Sequence, residues 1–218
     1  MKPDAVDEAL TIPVGAARLE GNLVIPSTAQ GLVLFAHGSG SSRASPRNRF
    51  VARTLQGRGL GTLLFDLLTM DEERRDAVDG HLRFDIPLLA RRLGCVTDWV
   101  REHERTRPLA LGYFGASTGA AAALIAAAAR PHDVRAVVSR GGRPDLAAEA
   151  LGRVHSPTLL IVGGEDNVVL AFNRQALEVI PAHKRLAVVP GATHLFEEPG
   201  ALEEVARLAG DWFVEQLG

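Results

Sequence analysis

Largely apolar runs of about six residues, bounded by Gly, Pro or polar positions, recur along the chain at 31–36, 61–66, 109–114, 134–139, 157–162 and 184–189. Short continuous apolar runs of this kind read as strands buried on both faces. Between them, segments at 46–57, 85–105, 118–129, 144–152, 168–179 and 199–217 carry the helical pattern. Near the start, Glu8 to Pro13 and Arg18 to Ile25 flank a Gly-containing turn and predict an antiparallel hairpin at a sheet edge. Strands alternating with helices signal parallel βαβ construction. The prediction is an α/β fold, a mostly parallel, doubly wound sheet of about eight strands with six helices on its two faces. No insertion is large enough for a separate cap domain. The charged connection from Leu67 to Arg83, with Asp71-Glu-Glu-Arg-Arg-Asp76, reads as a solvated loop or at most a small lid.

Composition narrows the setting. With 218 residues, 46% of them hydrophobic, the chain can bury one substantial core, and a single domain over 1–218 is expected. A net charge of -2 and the lack of a dense basic stretch argue against a nucleic acid partner. The acidic, polar start of the chain does not read as a secretory signal, and the apolar stretch from Gly119 to Ala129 is too short to span a bilayer. One cysteine, Cys95, makes no internal disulfide, which fits a cytoplasmic protein.

The chemistry concentrates where predicted strands end. Gly115-Ala116-Ser117-Thr118-Gly119 follows the 109–114 strand and opens the alanine-rich helix, the strand-turn-helix setting of a G-x-S-x-G nucleophile elbow. Capping of that helix by Ser117 is the competing reading. A serine hydroxyl needs a base, so the elbow predicts an acid and then a histidine farther along, each just past a strand. Gly163-Gly164-Glu165-Asp166 leaves the 157–162 strand, and Pro190-Gly191-Ala192-Thr193-His194 leaves the last one. Asp166 is the expected orienting acid, with Glu165 as its alternative, and His194 the expected base. Backbone N–H groups must then receive the oxyanion. Thr118, at the start of the helix, and Ser39, in the loop His37-Gly38-Ser39-Gly40-Ser41-Ser42 after the 31–36 strand, are the expected donors. Neither a phosphate-binding G-x-x-x-x-G-K-[ST] nor a zinc-type H-E-x-x-H pattern occurs, so no nucleotide, metal or organic cofactor is expected.

Taken together, the HGSGSS loop from His37, the strand ending Leu63-Leu-Phe-Asp66, the elbow at Ser117, Val-Gly-Gly-Glu-Asp at 162–166 and Gly-Ala-Thr-His at 191–194 resemble an α/β-hydrolase of the dienelactone-hydrolase-like group over nearly the whole chain. The resemblance implies an α/β-hydrolase fold and a carboxylic ester hydrolase working through an acyl-enzyme. Enzymes of this group that open dienelactones use a cysteine at the elbow, whereas this chain has Ser117, so ester or lactone hydrolysis in general is the implied activity. Relatives of this type sometimes occur fused to a phosphoribosyltransferase domain.

Arginines at the same sheet edge suggest a substrate preference. Guanidinium groups grip carboxylates or phosphates at two points, so Arg43 and Arg140, together with His37, are expected to contact a small and anionic ester or lactone. Two other readings share the residues: acyl transfer to an alcohol or thiol on the same triad, and a catalytically silent binding module. Neutral histidine is the active base, so activity should rise with pH through roughly 6 to 7.

Overall fold

The computed structural model describes residues 5–218. Eight strands form one sheet: β1 (Val6–Val14), β2 (Ala17–Ile25), β3 (Gly31–Ala36), β4 (Gly61–Phe65), β5 (Ala110–Ala116), β6 (Val134–Arg140), β7 (Thr158–Gly163) and β8 (Lys184–Val189). Their spatial order is β1-β2-β4-β3-β5-β6-β7-β8. β1 pairs with β2, and β2 with β4, in antiparallel fashion; every other pairing is parallel. The hairpin at the sheet edge is therefore present.

The helices are α1 (Pro46–Gly57), α2 (Met70–Asp79), α3 (Ile86–Glu102), α4 (Thr118–Ala129), α5 (Ala148–Leu151), α6 (Asn167–Val179) and α7 (Ala201–Leu217). They cover both faces of the sheet, which explains why its central strands are apolar at consecutive positions. In β3, Leu32, Leu34 and Ala36 join the core that holds α3 and α4, while Val33 and Phe35 join the core that holds α1 and α7. Alternation survives in β2, where Leu19, Gly21, Leu23 and Ile25 are buried and the residues between them are not. The alanine run becomes α4, buried along most of its length; small side chains let it lie close to the sheet.

Two expectations need correction. The charged 67–83 connection is not an open loop: it forms α2, followed by a 3₁₀ turn at Leu82–Phe84. A capping box starts the helix, with Thr69 Oγ1 accepting the Glu72 N–H (3.2 Å) and Glu72 Oε2 accepting the Thr69 N–H (2.8 Å). Arg92 Nη2 of α3 then donates to Glu72 Oε1 at 2.6 Å, and Arg83 Nε donates to the buried Asp76 at 2.6 Å. The charges are spent on neighbours as well as on water. The second correction concerns 144–152, which divides into a 3₁₀ turn over Pro144–Ala147 and the one-turn helix α5.

The chain leaves β3 toward β4 on one side, while β5 lies on the other. This reversal of direction opens a crevice at the carboxyl ends of β3 and β5, where such sheets bind ligands. Among the described residues, no helix is long and apolar enough to cross a membrane.

Candidate active site

β5 ends at Ala116 and α4 begins at Thr118, so Ser117 alone makes the turn. Its φ of 50° and ψ of -119° belong to a sparsely populated region that costs a non-glycine residue on the order of 1–3 kcal/mol. The flanking glycines make that turn possible. A Cβ on Gly115 would lie 2.4 Å from Ala120 Cα, and one on Gly119 would lie 2.2 Å from Ala36 O. Ser117 N–H donates to Arg140 O (3.1 Å) and Arg143 N–H donates to Ser117 O (3.2 Å), fastening the elbow to the end of β6. Ser117 Oγ makes no capping bond to α4; it faces a cavity of about 180 Å³ that His194 also lines.

The loops after β7 and β8 deliver the other two residues together. Gly164 N–H donates to Val189 O (2.8 Å) and Glu165 N–H to Ala192 O (3.0 Å), which ties the two loops side by side. His194 Nδ1–H donates to Asp166 Oδ2 at 2.6 Å, and His194 Nε2 stands 3.3 Å from Ser117 Oγ. A carboxylate can only accept here, which fixes the proton on Nδ1 and leaves the Nε2 lone pair facing the serine. Glu165, the alternative acid, is exposed and makes no such bond. The histidine loop is held by Glu198, whose Oε1 accepts from Thr193 N–H (3.0 Å) and Thr193 Oγ1 (2.5 Å).

The 37–42 loop closes the cavity from the β3 side. Ser39 N–H donates to Thr118 Oγ1 at 2.9 Å. This N–H, the expected oxyanion donor, is thus occupied by a neighbouring hydroxyl. His37 serves the loop itself: its Nδ1–H donates to Gly38 O (3.0 Å), and its Nε2 accepts the Leu67 N–H (3.0 Å). Burial pushes the His37 pKa below its ordinary value, against the opposing pull of the Gly38 carbonyl and the Asp66 charge. With both nitrogens engaged inside the protein, His37 has no polar atom left for a ligand, and the expectation that it binds substrate is corrected.

The two expected arginines part company. Arg43 forms an ion pair with Asp66 at the end of β4, and its N–H donates to the same carboxylate at 2.7 Å. It does not line the Ser117 cavity, so its expected role in anion binding is corrected too. Arg140 does line that cavity. So does Arg47, at the start of α1, which pairs with Glu197 of the histidine loop at 3.1 Å. Of the two arginines that follow the 37–42 loop, Arg43 and Arg47, sequence reasoning settled on Arg43 as the site residue. The available signal was the Ser45-Pro46 helix start, which orients Arg47 in the first turn of α1. A second cavity, of about 290 Å³, lies on the other side of the 37–42 loop, with Leu68, Glu73, Asp76 and Arg83 from the α2 segment in its wall.

No family model matches this chain. A dienelactone hydrolase of known structure from Anabaena variabilis is 60% identical, superposes with a TM-score of 0.97, and is matched over 98% of this chain and 99% of its own. The esterase Est1E from Butyrivibrio proteoclasticus shares the fold at 17% identity and a TM-score of 0.76, over 95% of this chain and 98% of its own. A Mycobacterium tuberculosis protein named, provisionally, as a phosphoribosyl transferase is 58% identical over 99% of this chain and 48% of its own length. The chain thus spans about half the length of this curated relative. Near-complete coverage at 60% identity, on an eight-stranded sheet of the same fold, places the chain among the hydrolases of the dienelactone-hydrolase family in the α/β-hydrolase superfamily.

Proposed function

We propose that the protein hydrolyses small carboxylic esters or lactones through an acyl-enzyme on Ser117. The observation that carries this reading is the continuous chain of contacts from Ser117 Oγ through His194 to Asp166, presented by an elbow whose strain holds the hydroxyl in the cavity. His194 Nε2 takes the Ser117 proton as Oγ attacks the carbonyl carbon. Asp166 keeps the imidazole oriented and stabilises its cation. Thr118 N–H, at the positive end of α4, receives the developing oxyanion. Ser39 N–H joins it by exchanging the Thr118 hydroxyl for the substrate oxygen. His194 then protonates the leaving alcohol, and a water activated by the same histidine releases the acid. The scheme draws on no metal or organic cofactor.

The transferase name of the mycobacterial relative describes a protein about twice as long, and the hydrolase reading concerns the half that this chain matches. Acyl transfer uses the same first step and differs only in the acceptor. Product analysis with added alcohols and thiols separates it from hydrolysis.

The deciding experiment is mass spectrometry after treatment with a small fluorophosphonate. One adduct, located on Ser117 and absent from Ser117→Ala, is expected. A folded protein that gives no adduct would sink the acyl-enzyme reading in favour of a binding module.

A further inference from the structure

Among the described residues, two other than glycine have a positive φ: Ser117 at 50° and Phe196 at 56°. Backbone strain of this kind persists only where the surroundings over-determine it, and it gathers at active sites. The first marks the elbow; the second lies two residues after His194. The loop that joins β8 to α7 uses glycine where the chain has only to turn, at Gly191 (φ 71°) and Gly200 (φ 80°). Position 196 carries the same conformation on a phenylalanine, so its side chain must supply what holds it. Phe196 is 1% exposed and belongs to the core that holds α1 and α7. Burial of an aromatic ring outweighs the strain of one residue in the left-handed region.

The strained residue closes a turn. Phe196 N–H donates to Thr193 O (3.3 Å), which leaves His194 and Leu195 at the apex. Both ends are anchored: Thr193 gives its N–H and Oγ1–H to Glu198 Oε1, and Phe196 is held through its buried ring. Glu197, between the two anchors, is tied to Arg47 of α1. Just past β6, a Cβ on Gly141 would lie 3.4 Å from Phe196 Cε2 and 3.5 Å from His194 Cε1, so both rings pack round one point of the strand end. The imidazole itself has one firm contact, to Asp166 at 2.6 Å, about which it can swing. Its Nε2 stands 3.3 Å from Ser117 Oγ, at the long end of hydrogen-bond range. A small displacement breaks that second contact, so the turn decides whether His194 can act as a base.

We propose that Phe196 and Glu198 are positioning residues: the buried ring and the Thr193 clamp hold the 193–196 turn so that His194 Nε2 faces Ser117 Oγ. The inference rests on the ester-hydrolase reading and adds the device that keeps its base in place. Neither residue lines the Ser117 cavity, so neither acts on substrate directly. Leucine at 196 would keep an apolar side chain but give up the ring that holds φ at 56°. The turn then relaxes and the imidazole moves away from the serine.

The test measures kcat and KM for ethyl butanoate, and the rate of fluorophosphonate adduct formation on Ser117, in wild type, Phe196→Leu, Glu198→Ala and Glu198→Gln. Phe196→Leu is expected to lower kcat and the labelling rate together by about 10- to 100-fold, the cost of a misplacement of roughly 1 Å, with KM within about 2-fold of wild type. Glu198→Ala should lower both rates by about 3- to 10-fold. Glu198→Gln, whose amide oxygen still accepts both Thr193 donors, should bring them back to within about 2-fold of wild type. An unchanged kcat in folded Phe196→Leu overturns the proposal. So does a change confined to KM, which would mean that the ring only shapes the cavity. Should Phe196→Leu fail to fold, the Glu198 variants decide: wild-type kcat in Glu198→Ala, or an equal loss in Glu198→Ala and Glu198→Gln, overturns the clamp. Wild type that takes no label and cleaves no ester sinks the hydrolase reading, and the positioning role falls with it. Variants labelled as fast as an active wild type remove the positioning role alone and leave the hydrolase reading standing.

Discussion

Arg43, in the loop that follows β3, and Arg140, the last residue of β6, lie toward the same sheet edge, and their fates are opposite. Arg43 is partly exposed and tied to Asp66 by both side chain and backbone. Arg140 is more deeply buried and, among the described residues, no carboxylate pairs with it. Residue type and position along the edge do not separate the two. What separates them is whether another strand end supplies a counter-charge: β4 ends next to Asp66, whereas β5 and β7, the neighbours of β6, end in the elbow and in the Asp166 loop. Asp166 is already engaged by His194. A cation left over beside Ser117 is open to an added partner; one that is paired is a feature of the scaffold.

The largest effect that sharpens this contrast belongs to the chemistry at the Arg140 corner. His194→Ala should cut kcat for ethyl butanoate by roughly 10⁴- to 10⁶-fold, as measured by ethanol release. A loss below about 10-fold would detach the unpaired arginine from any reactive centre. At the other corner the effect should be on stability. Arg43→Ala leaves the buried Asp66 without its ion pair and should cost about 1–3 kcal/mol in urea unfolding. Arg140→Met removes an unpaired cation and should change stability by less than about 1 kcal/mol, or raise it. If both substitutions destabilised alike, the two arginines would be structural equals and the contrast would break.

His37, between the corners, supplies a smaller test through pH. Its folded pKa lies below the ordinary histidine value because of burial, so native His37 stays neutral while the unfolded chain begins to take up a proton as pH falls through about 6.5. The native state therefore loses stability toward acid, by at most ~1.4 kcal/mol per pH unit from this residue, until its own lower pKa is reached. Urea unfolding at pH 7.5 and 5.5 should show a smaller acid-dependent loss in His37→Gln than in wild type. An equal loss in both would mean that the ring is not held neutral.

The smallest effect concerns the shared donor. Thr118→Val removes the hydroxyl that accepts the Ser39 N–H and leaves a free donor facing the cavity. A change in kcat of about 3-fold or more, with KM little altered, is expected if this N–H serves the oxyanion. Unchanged kcat would assign the bond to loop packing alone.

Much of the molecule could be read from its sequence because the determinants are local. Strands buried on both faces are apolar at consecutive positions, and the hairpin alternates because one of its faces is wet. The elbow is legible because only glycine fits within 2.4 Å of backbone on either side of Ser117, so the geometry leaves a pattern in five consecutive residues. The helix α2 was legible in principle. Thr69 and Glu72 stand at capping-box spacing, but the charge run around them reads as solvent-facing when its partners Arg92 and Arg83 are out of view.

What the sequence determined by itself was the fold class, the strand ends and the order serine, acid, histidine, since these follow from periodicity and from turns a few residues long. Tertiary structure decided which carboxylate meets His194, which arginine is left without a partner, and that the Ser39 N–H is shared with Thr118. Those outcomes depend on distances between segments 23 to 79 residues apart in the chain. Pairing energies fall off over a few ångströms, so no local pattern encodes them; only the packed sheet brings the groups close enough to choose.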